Sequence, residues 1–276
     1  MTPDFLGLAY PQKLNLFYGM GESLKTWAAF LACKLEIDAG NRVAWIDLED
    51  SPGTARERLS ALGADLTGID YYGQLDGPIT EEELEDIGTF HTLVVIDSTS
   101  EWLSMYGLDG DDREDVVLMH HLLKKTLCHL GCGVILIDHS TKGGLLNGPS
   151  GSERKVSGID GSVIGFERDT PFGRGRTGVV KLSVKKDRPG YLRGNAPEQI
   201  SFTEKSGVVT YCIGKDVDNA VMEFIGANPG CTRADIEKAD LGKRDDVRAS
   251  VTKLVRFKKV NVEKGKSNAQ LHTLAA

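Results

Sequence analysis

The sequence predicts an α/β protein built on a mostly parallel β-sheet with helices on both faces, followed by a small C-terminal domain. Four short apolar runs, typical of buried strands, begin at Leu14, Val43, Leu93 and Gly133. Segments with helical spacing connect them, which implies crossover connections and therefore parallel strands. From Val163 to Ile213 short strands alternate with tight turns, which predicts antiparallel additions to the same sheet. The fold class is therefore α/β, with a main domain over 1–213 and a second domain over 214–276.

The connecting helices follow from spacing and capping signals. The first begins at Lys25–Thr26 and runs to about Ala39, where Gly40 and Asn41 end it. Helical spacing predicts further helices at Thr54–Leu62, Thr80–Asp86 and Asp115–Leu130, and a short apolar piece lies at Ile69–Tyr72.

Composition is that of an ordinary globular chain, with 276 residues of which 40% are hydrophobic and 26% charged. No apolar run is long enough to cross a bilayer, and the first residues lack a signal-peptide pattern. Five scattered cysteines are expected to be reduced thiols. These features predict a cytoplasmic protein that makes no membrane contact.

Charge is distributed unevenly along the chain. The net charge is −7, which argues against a protein that coats nucleic acid indiscriminately. From Lys215 onward, however, 12 basic and 9 acidic side chains give a balance of +3. A basic end on an acidic body predicts that the C-terminal domain meets an anionic partner.

The segment Leu14–Thr26 reads LNLFYGMGESLKT, an apolar strand that enters a glycine-rich turn and then a helix. Backbone N–H groups of such a turn point at phosphates, a lysine reaches phosphate oxygens, and a hydroxyl ligates Mg²⁺. The sequence therefore predicts a nucleotide-phosphate cradle that binds ATP and Mg²⁺. Its residues are Gly19, Gly21, Glu22, Ser23, Leu24, Lys25 and Thr26.

Leu24 departs from the expected pattern G-x-x-x-x-G-K-[ST], which places a glycine at that position. A side chain there crowds the point of closest approach between backbone and phosphate. Gly21 keeps the turn supple, and the Lys-Thr pair is intact. A strand-to-helix turn that merely contains Lys-Thr is the alternative interpretation.

Polar groups also follow the other apolar strands, at the edge where parallel sheets bind ligands. Phosphoryl-transfer chemistry assigns Asp97 to Mg²⁺, Glu49 to the activation of water, and His139 to sensing the terminal phosphate. Asp47 and Asp50 are close rivals of Glu49. Each of these residues also has a purely structural interpretation, as a strand cap, a surface acid or a hydrogen-bonded histidine.

Together these motifs make the chain from about Leu14 to Gly190 resemble the RecA-like ATPases, and most closely their RepA/DnaB-type hexameric helicase branch. The resemblance rests on GMGESLKT, DLED, VVIDS and ILIDHSTK, in that order. It is strengthened by VKKDRPG, which is similar to the segment where these helicases place a lysine and an arginine against the neighbouring subunit's ATP. The resemblance implies that Lys186 and Arg188 complete a neighbour's catalytic site, and that the protein forms a homo-oligomer, expected to be a hexamer.

The same resemblance implies DNA-contacting loops after the third and fourth apolar strands. The first, Ser104–Asp115, is acidic and a poor phosphate binder. The second, Ser140–Lys155, is rich in glycine and serine and is the better candidate for single-stranded DNA, through Lys142, Arg154 and Lys155. The basic turn Pro171–Gly178 could contact DNA or a neighbouring subunit.

The C-terminal domain reads as a winged helix-turn-helix. A helix at Val217–Ala227 precedes a helix capped by Thr232, and a long helix at Asp245–Phe257 is followed by two alternating segments around the turn Lys264–Ala269. Winged helices also dock proteins, but the basic bias favours DNA. The predicted DNA contacts are Arg244, Arg248 and Lys253 on the helix, with Lys264 and Lys266 on the wing.

The sequence therefore predicts an ATP-hydrolysing, oligomeric DNA motor, most simply a replicative helicase of plasmid or phage type. One alternative is a recombination or repair ATPase that assembles nucleotide-dependent filaments. The other is a nucleotide-switched DNA-binding regulator, which Leu24 favours because an impaired cradle could bind ATP and turn it over slowly.

Overall fold

The computed structural model describes residues 2–140, 148–151, 153–214, 217–256, 258–265 and 269–275. The chain divides into two compact units, one ending at Tyr211 and the other beginning at Cys212. The first unit carries an extended β-sheet with helices, and the second is a small helical unit with its own sheet.

The strands of the large sheet are β1 (Leu14–Gly19), β2 (Val43–Asp47), β3 (Ile69–Gly73), β4 (Leu93–Asp97), β5 (Gly133–His139), β6 (Ser162–Thr170), β7 (Thr177–Asp187), β8 (Gln199–Lys205) and β9 (Val208–Ile213). The helices between them are α1 (Lys25–Asp38), α2 (Pro52–Ala61), α3 (Glu81–Phe90), α4 (Thr99–Met105), α5 (Arg113–Thr126) and α6 (Arg154–Ser157).

The sheet has the strand order β3-β2-β4-β5-β1-β6-β7-β8-β9. All pairs from β3 to β6 are parallel, and the β6–β7 and β7–β8 pairs are antiparallel. The predicted mostly parallel sheet is therefore confirmed. The expectation that the antiparallel additions begin at Val163 was wrong by one strand, because the crossover through α6 returns the chain so that β6 runs parallel to β1.

Burial explains why the central strands read as continuous apolar runs. Each residue of β1, β2 and β4 is buried, since helices cover both faces of the sheet. On one face Leu16, Ile46 and Leu136 pack against the helical side chains Trp102 and Leu123. On the other, Phe30 of α1 stacks on Trp45 of β2 with ring centroids 3.9 Å apart.

Some local elements differ from the sequence prediction. Helix α5 ends at Thr126 and is followed by a 3₁₀ turn at Cys128–Leu130, closed by Gly131 at φ 118°. Helix α4 was not predicted, because seven residues are too few to show a helical period. The apolar piece at Ile69–Tyr72 lies in the edge strand β3.

The second unit contains α7 (Val217–Ala227), β10 (Cys231–Thr232), α8 (Arg233–Lys238), α9 (Arg244–Arg256), β11 (Val260–Lys264) and β12 (Gln270–Leu274). Its sheet has the order β10-β12-β11, and both pairs are antiparallel. Thr232 caps α8 through a reciprocal capping box with Asp235. The three helices enclose a small core of Val221, Ile225, Ile236, Val247, Val251, Leu254 and Val260.

In the part of the chain that the structure describes, none of the helices combines the length and the apolar character needed to cross a bilayer.

Candidate functional site

The carboxyl ends of the central strands meet at one edge of the sheet. In register, Gly19 of β1 lies beside His139 of β5, and Asp97 of β4 lies beside Ile137 of β5 and Asp47 of β2. The loops that leave these strands therefore emerge next to one another. This brings together the predicted cradle, Asp97, Glu49 and His139.

The turn after β1 is shaped by close approach between backbones. A Cβ at Gly19 would lie 2.5 Å from the Phe166 carbonyl oxygen and 2.6 Å from Ser23 Oγ, so only glycine fits there. Ser23 is 1% exposed, and its Oγ has no hydrogen-bond partner among the described residues. A buried hydroxyl left without a partner is suited to a polar ligand in the turn.

Leu24 adopts a left-handed conformation, with φ 66° and ψ 9°, immediately before α1. The glycine expected at this position takes such a conformation without cost, whereas leucine is strained by its Cβ. The leucine side chain is 6% exposed and packs inside the protein. The turn therefore has the backbone form of a phosphate cradle despite the substitution, and burial of the side chain offsets part of the strain.

Lys25 and Thr26 begin α1 at the floor of this turn. Lys25 is 5% exposed, and among the residues that the structure describes its Nζ donates only a long hydrogen bond, of 3.4 Å, to the Met20 carbonyl oxygen. Burial lowers the pKa of Lys25, and the nearby carboxylates of Asp97 and Glu49 oppose that effect. A buried ammonium with an incomplete set of acceptors is suited to an anion.

Thr26 and Asp97 meet across the edge of the sheet. Thr26 Oγ1 donates to Asp97 Oδ2 over 3.2 Å. Burial, followed by the charge of Glu49, raises the pKa of Asp97 to about 7. Two hard oxygen donors beside an excess of negative charge fit Mg²⁺, which prefers oxygen ligands and keeps several waters.

Glu49 and His139 form a second polar pair at the same edge, with Glu49 Oε1 and His139 Nε2 3.2 Å apart. This hydrogen bond lowers the pKa of Glu49 and raises the pKa of His139. Asp47, a rival of Glu49, instead accepts hydrogen bonds from the Glu49 and Asp50 backbone N–H groups and shapes the turn. Asp50 lies 3.6 Å from Arg58 in an ion pair.

Two cavities extend from the cradle. The first, of about 360 Å³, is lined by residues 22–27 of the cradle and by Arg58, Arg168, Pro171 and Phe172. The second, of about 710 Å³, shares Trp27, Arg58 and Phe172 with the first. The Trp27 and Phe172 rings lie edge to face at 5.0 Å. The polar cradle thus leads directly to an aromatic region of the cavity.

The predicted trans-acting pair lies on β7 and just beyond it. Lys186 Nζ donates to the carbonyl oxygens of Val156, Ser157 and Ile159, at 3.0, 2.8 and 2.7 Å. In this single chain, Lys186 therefore caps the end of α6. Arg188 follows β7 and is exposed.

Among the predicted loop contacts to DNA, Lys155 needs correction. Its side chain is 3% exposed, and its Nζ is 2.9 Å from Asp138 Oδ2, in an ion pair within the core. Because Lys155 is buried and paired with Asp138, it cannot contact DNA from this position. Arg154 lies half-buried beside a basic cavity of about 1000 Å³ that Arg113, Lys185 and Lys186 also line. Lys142 lies outside the described residues.

The basic residues of the second unit are partly engaged with acids. Arg244 and Arg248 both bind Glu237, at 2.9 and 3.0 Å, and Arg233 lies 3.5 Å from the same carboxylate. Lys253 pairs with Asp218 at 2.5 Å. Lys264 is exposed on β11, and Lys266 lies outside the described residues.

A search of solved structures places the fold. The chain is similar to a KaiC-like protein from the hyperthermophilic archaeon Pyrococcus horikoshii, with a TM-score of 0.53 and 15% identity over 76% of this chain and 96% of that one. The chain has a RecA-like fold. No protein-family model matches it, and a search of curated proteins found no match. At this identity the similarity concerns the fold alone.

Sequence reasoning overlooked several residues around this RecA-like edge. Trp27 and Phe172 are brought together from α1 and the β6–β7 turn, and Arg168 reaches the cradle from β6. No local pattern marks them, because their proximity comes from pairing between strands distant in sequence. The buried pair of Asp138 and Lys155 had one available signal: an acid inside an apolar strand needs a partner.

Proposed function

We propose that the first unit is an ATPase that works on DNA as part of an oligomeric motor, most simply a hexameric helicase. The observation that carries this proposal is the convergence of Lys25, Thr26, Asp97, Glu49 and His139 at one edge of a RecA-like sheet. Phosphoryl transfer depends on positioning and charge neutralisation, and these residues supply both.

Each residue has a distinct task in hydrolysis. Backbone N–H groups of the turn and Lys25 hold the phosphates, while Thr26 and Asp97 hold Mg²⁺, which when bound neutralises charge on the phosphate oxygens. Glu49 orients the attacking water and accepts its proton. His139 holds the Glu49 carboxylate in place through their 3.2 Å hydrogen bond.

The aromatic end of the cavity suits the nucleobase. Trp27 and Phe172 offer apolar ring surfaces next to the cradle, and Arg58 lines both cavities. A triphosphate in the turn would direct its base toward these rings. This arrangement supports ATP, rather than inorganic polyphosphate, as the ligand.

Oligomer formation is proposed because the resemblance assigns Lys186 and Arg188 to the ATP of a neighbouring subunit. Arg188 is exposed directly after β7, and Lys186 lies two residues before it, near the end of that strand. In a ring, Arg188 would reach the neighbouring subunit's ATP, and Lys186 would do so after releasing the carbonyls of α6. Arg154 and the basic cavity beside it are the candidate contacts for single-stranded DNA in the core.

The second unit is proposed to be a winged helix that binds duplex DNA. Its order of helix, strand, two helices and two strands, with a three-stranded antiparallel sheet, supports that assignment. Arg233, Arg248, Lys253 and Arg256 line a basic hollow of about 410 Å³ along α9, and Lys264 lies on the wing. Phosphate contacts of this kind position a protein on DNA.

A second candidate, a nucleotide-switched DNA-binding regulator, is favoured by Leu24. A strained, non-glycine residue at the point of closest backbone–phosphate approach is compatible with tight binding and slow turnover. The motor and the switch differ in turnover rather than in binding, so one assay separates them.

The test is ATP hydrolysis by the purified full chain, with and without single-stranded DNA. Lys25→Ala and Glu49→Gln serve as controls: the first should abolish nucleotide binding, and the second should keep binding but lose turnover. DNA stimulation that both substitutions remove would support the motor. Background turnover with intact ATP binding would exclude the motor and favour the switch.

A further inference from the structure

An ion pair joins the tip of the cradle to the neighbouring strand β6. Arg168 Nη1 donates to Glu22 Oε2 over 2.7 Å, and both side chains line the cavity that holds Lys25 and Thr26. We propose that Arg168 is a second phosphate-binding cation of the site, and that Glu22 holds it beside the cradle until a nucleotide replaces the carboxylate as its partner. This inference rests on the proposed nucleotide-binding function.

The position of Arg168 follows from strand pairing. Strand β6 runs parallel to β1, with Phe166 beside Gly19. Arg168 lies two residues after Phe166 on β6. At that level β1 has ended and the chain has entered the cradle, so Arg168 lies beside the turn. The same cavity continues to Trp27 and Phe172, which places Arg168 on the side of the α- and β-phosphates in the proposed binding mode.

The energetics favour an exchange of partners. The Arg168 and Glu22 side chains are 43% and 85% exposed, and ion pairs at exposed positions contribute little because water solvates both charges. A guanidinium binds phosphate oxygens through paired, charge-assisted hydrogen bonds, which are stronger. Breaking the ion pair with Glu22 therefore costs little free energy, and the hydrogen bonds that Arg168 forms with a phosphate are stronger.

The two partners of this pair should have opposite effects on nucleotide binding. Arg168 attracts phosphates, whereas the Glu22 carboxylate repels them and competes for Arg168. If the pair only shaped the tip of the turn, loss of either side chain would loosen the turn and weaken binding alike. The sign of the Glu22 effect thus separates the two roles.

The experiment is calorimetric titration of the full-length protein with ADP and with a slowly hydrolysed ATP analogue. Arg168→Ala should weaken both ligands about tenfold, the loss expected for one charge-assisted hydrogen-bonding group. Arg168→Lys should have an intermediate affinity, because lysine keeps the positive charge but lacks the paired N–H donors of the guanidinium. Glu22→Gln should tighten both ligands severalfold. Arg56→Ala and Glu82→Gln remove the same charges from exposed positions on α2 and α3, and serve as matched controls.

The outcomes separate this inference from the proposed function. If the wild type binds nucleotide and Lys25→Ala abolishes binding, but Arg168→Ala behaves like Arg56→Ala, Arg168 is not a phosphate ligand. Weaker binding in Glu22→Gln would likewise overturn the exchange and leave a structural pair. If the wild type binds neither ligand, the proposed function fails, and this inference fails with it.

Discussion

Two buried lysines at the same edge of the sheet differ in their partners. Lys25 in the cradle is 5% exposed and Lys155 after β5 is 3% exposed. Lys155 has a carboxylate of its own, Asp138, at 2.9 Å. Lys25 has one long hydrogen bond to a carbonyl oxygen, and within the described part of the chain it forms no ion pair. Burial is nearly equal, so the partner distinguishes the two residues.

The difference indicates that Lys155 stabilises the fold, whereas the proposed function assigns Lys25 to a ligand. Asp138 is fully buried and also accepts hydrogen bonds from Ser100 Oγ and from the His139 backbone N–H. Burial raises the pKa of Asp138, and Lys155 opposes that effect. The Asp138–Lys155 pair therefore fixes the strand that carries His139. Lys25 forms no such ion pair among the described residues, and in the proposed function its charge is available to phosphate.

Lys155→Met should have the largest effect on stability. It leaves the Asp138 carboxylate buried without its cation, and breaking a buried pair in this way costs about 3–5 kcal/mol of unfolding free energy. Chemical denaturation of the full chain measures the loss.

Two matched variants test the difference between Lys155 and Lys25. Asp138→Asn combined with Lys155→Met removes both charges and should recover most of the stability, since a neutral pair leaves no uncompensated charge. Lys25→Met should cost no stability and should abolish stabilisation by ATP. The comparison is wrong if Lys25→Met and Lys155→Met destabilise equally.

The sequence was sufficient to predict what local patterns encode. Apolar runs and their connections predicted the parallel sheet, and the strand-turn-helix layout predicted the cradle, because both depend on residues close together in the chain. The burial of Lys155 beside Asp138 could not be predicted from local patterns. Its glycine- and serine-rich loop looks like a flexible basic loop, and only the fold brings its Nζ to Asp138.

Arg168 and Glu237 illustrate the same limit. Arg168 is separated from Glu22 by 146 residues, and a register between β1 and β6 decides that they meet. In the second unit, the basic bias was visible in the composition, but the acid that binds two of the predicted DNA contacts was not. Such pairings depend on side-chain packing between elements, which spacing along the chain does not specify.

Leu24, the residue before Lys25 in the cradle, combines backbone strain with side-chain burial. Leu24→Ala keeps a Cβ in the left-handed conformation and also loses the buried side chain, so it should cost about 2–3 kcal/mol. Leu24→Gly loses the same side chain but relieves the strain, so it should be about 1 kcal/mol more stable than the alanine variant. Thermal unfolding of the full chain compares the two.

This order is the reverse of the ranking inside a helix, where alanine is more stable than glycine. Turnover supplies a second readout: Leu24→Gly restores the expected glycine and should hydrolyse ATP faster than the wild type if crowding limits the reaction. An alanine variant as stable as the glycine variant would mean that the left-handed conformation carries no strain.

Glu237 of the second unit forms ion pairs with three arginines, Arg233, Arg244 and Arg248. The arginines Arg248 and Arg244 hold the pKa of Glu237 at about 2. A depressed folded-state pKa means that the stabilisation is present above the unfolded value of about 4.5 and is lost as the pH falls toward about 2.

The experiment compares the thermal midpoints of the wild type and Glu237→Gln, followed by NMR signals of α8 and α9. The difference between the two midpoints should shrink from pH 5 to pH 3. Since Arg244 and Arg248 are 68% and 43% exposed and remain solvated, the effect should be smaller than those of Lys155→Met and Leu24→Ala, and it should weaken with salt. A pH-independent difference would mean that Glu237 contributes through packing, and that, unlike Asp138, it does not act by its charge.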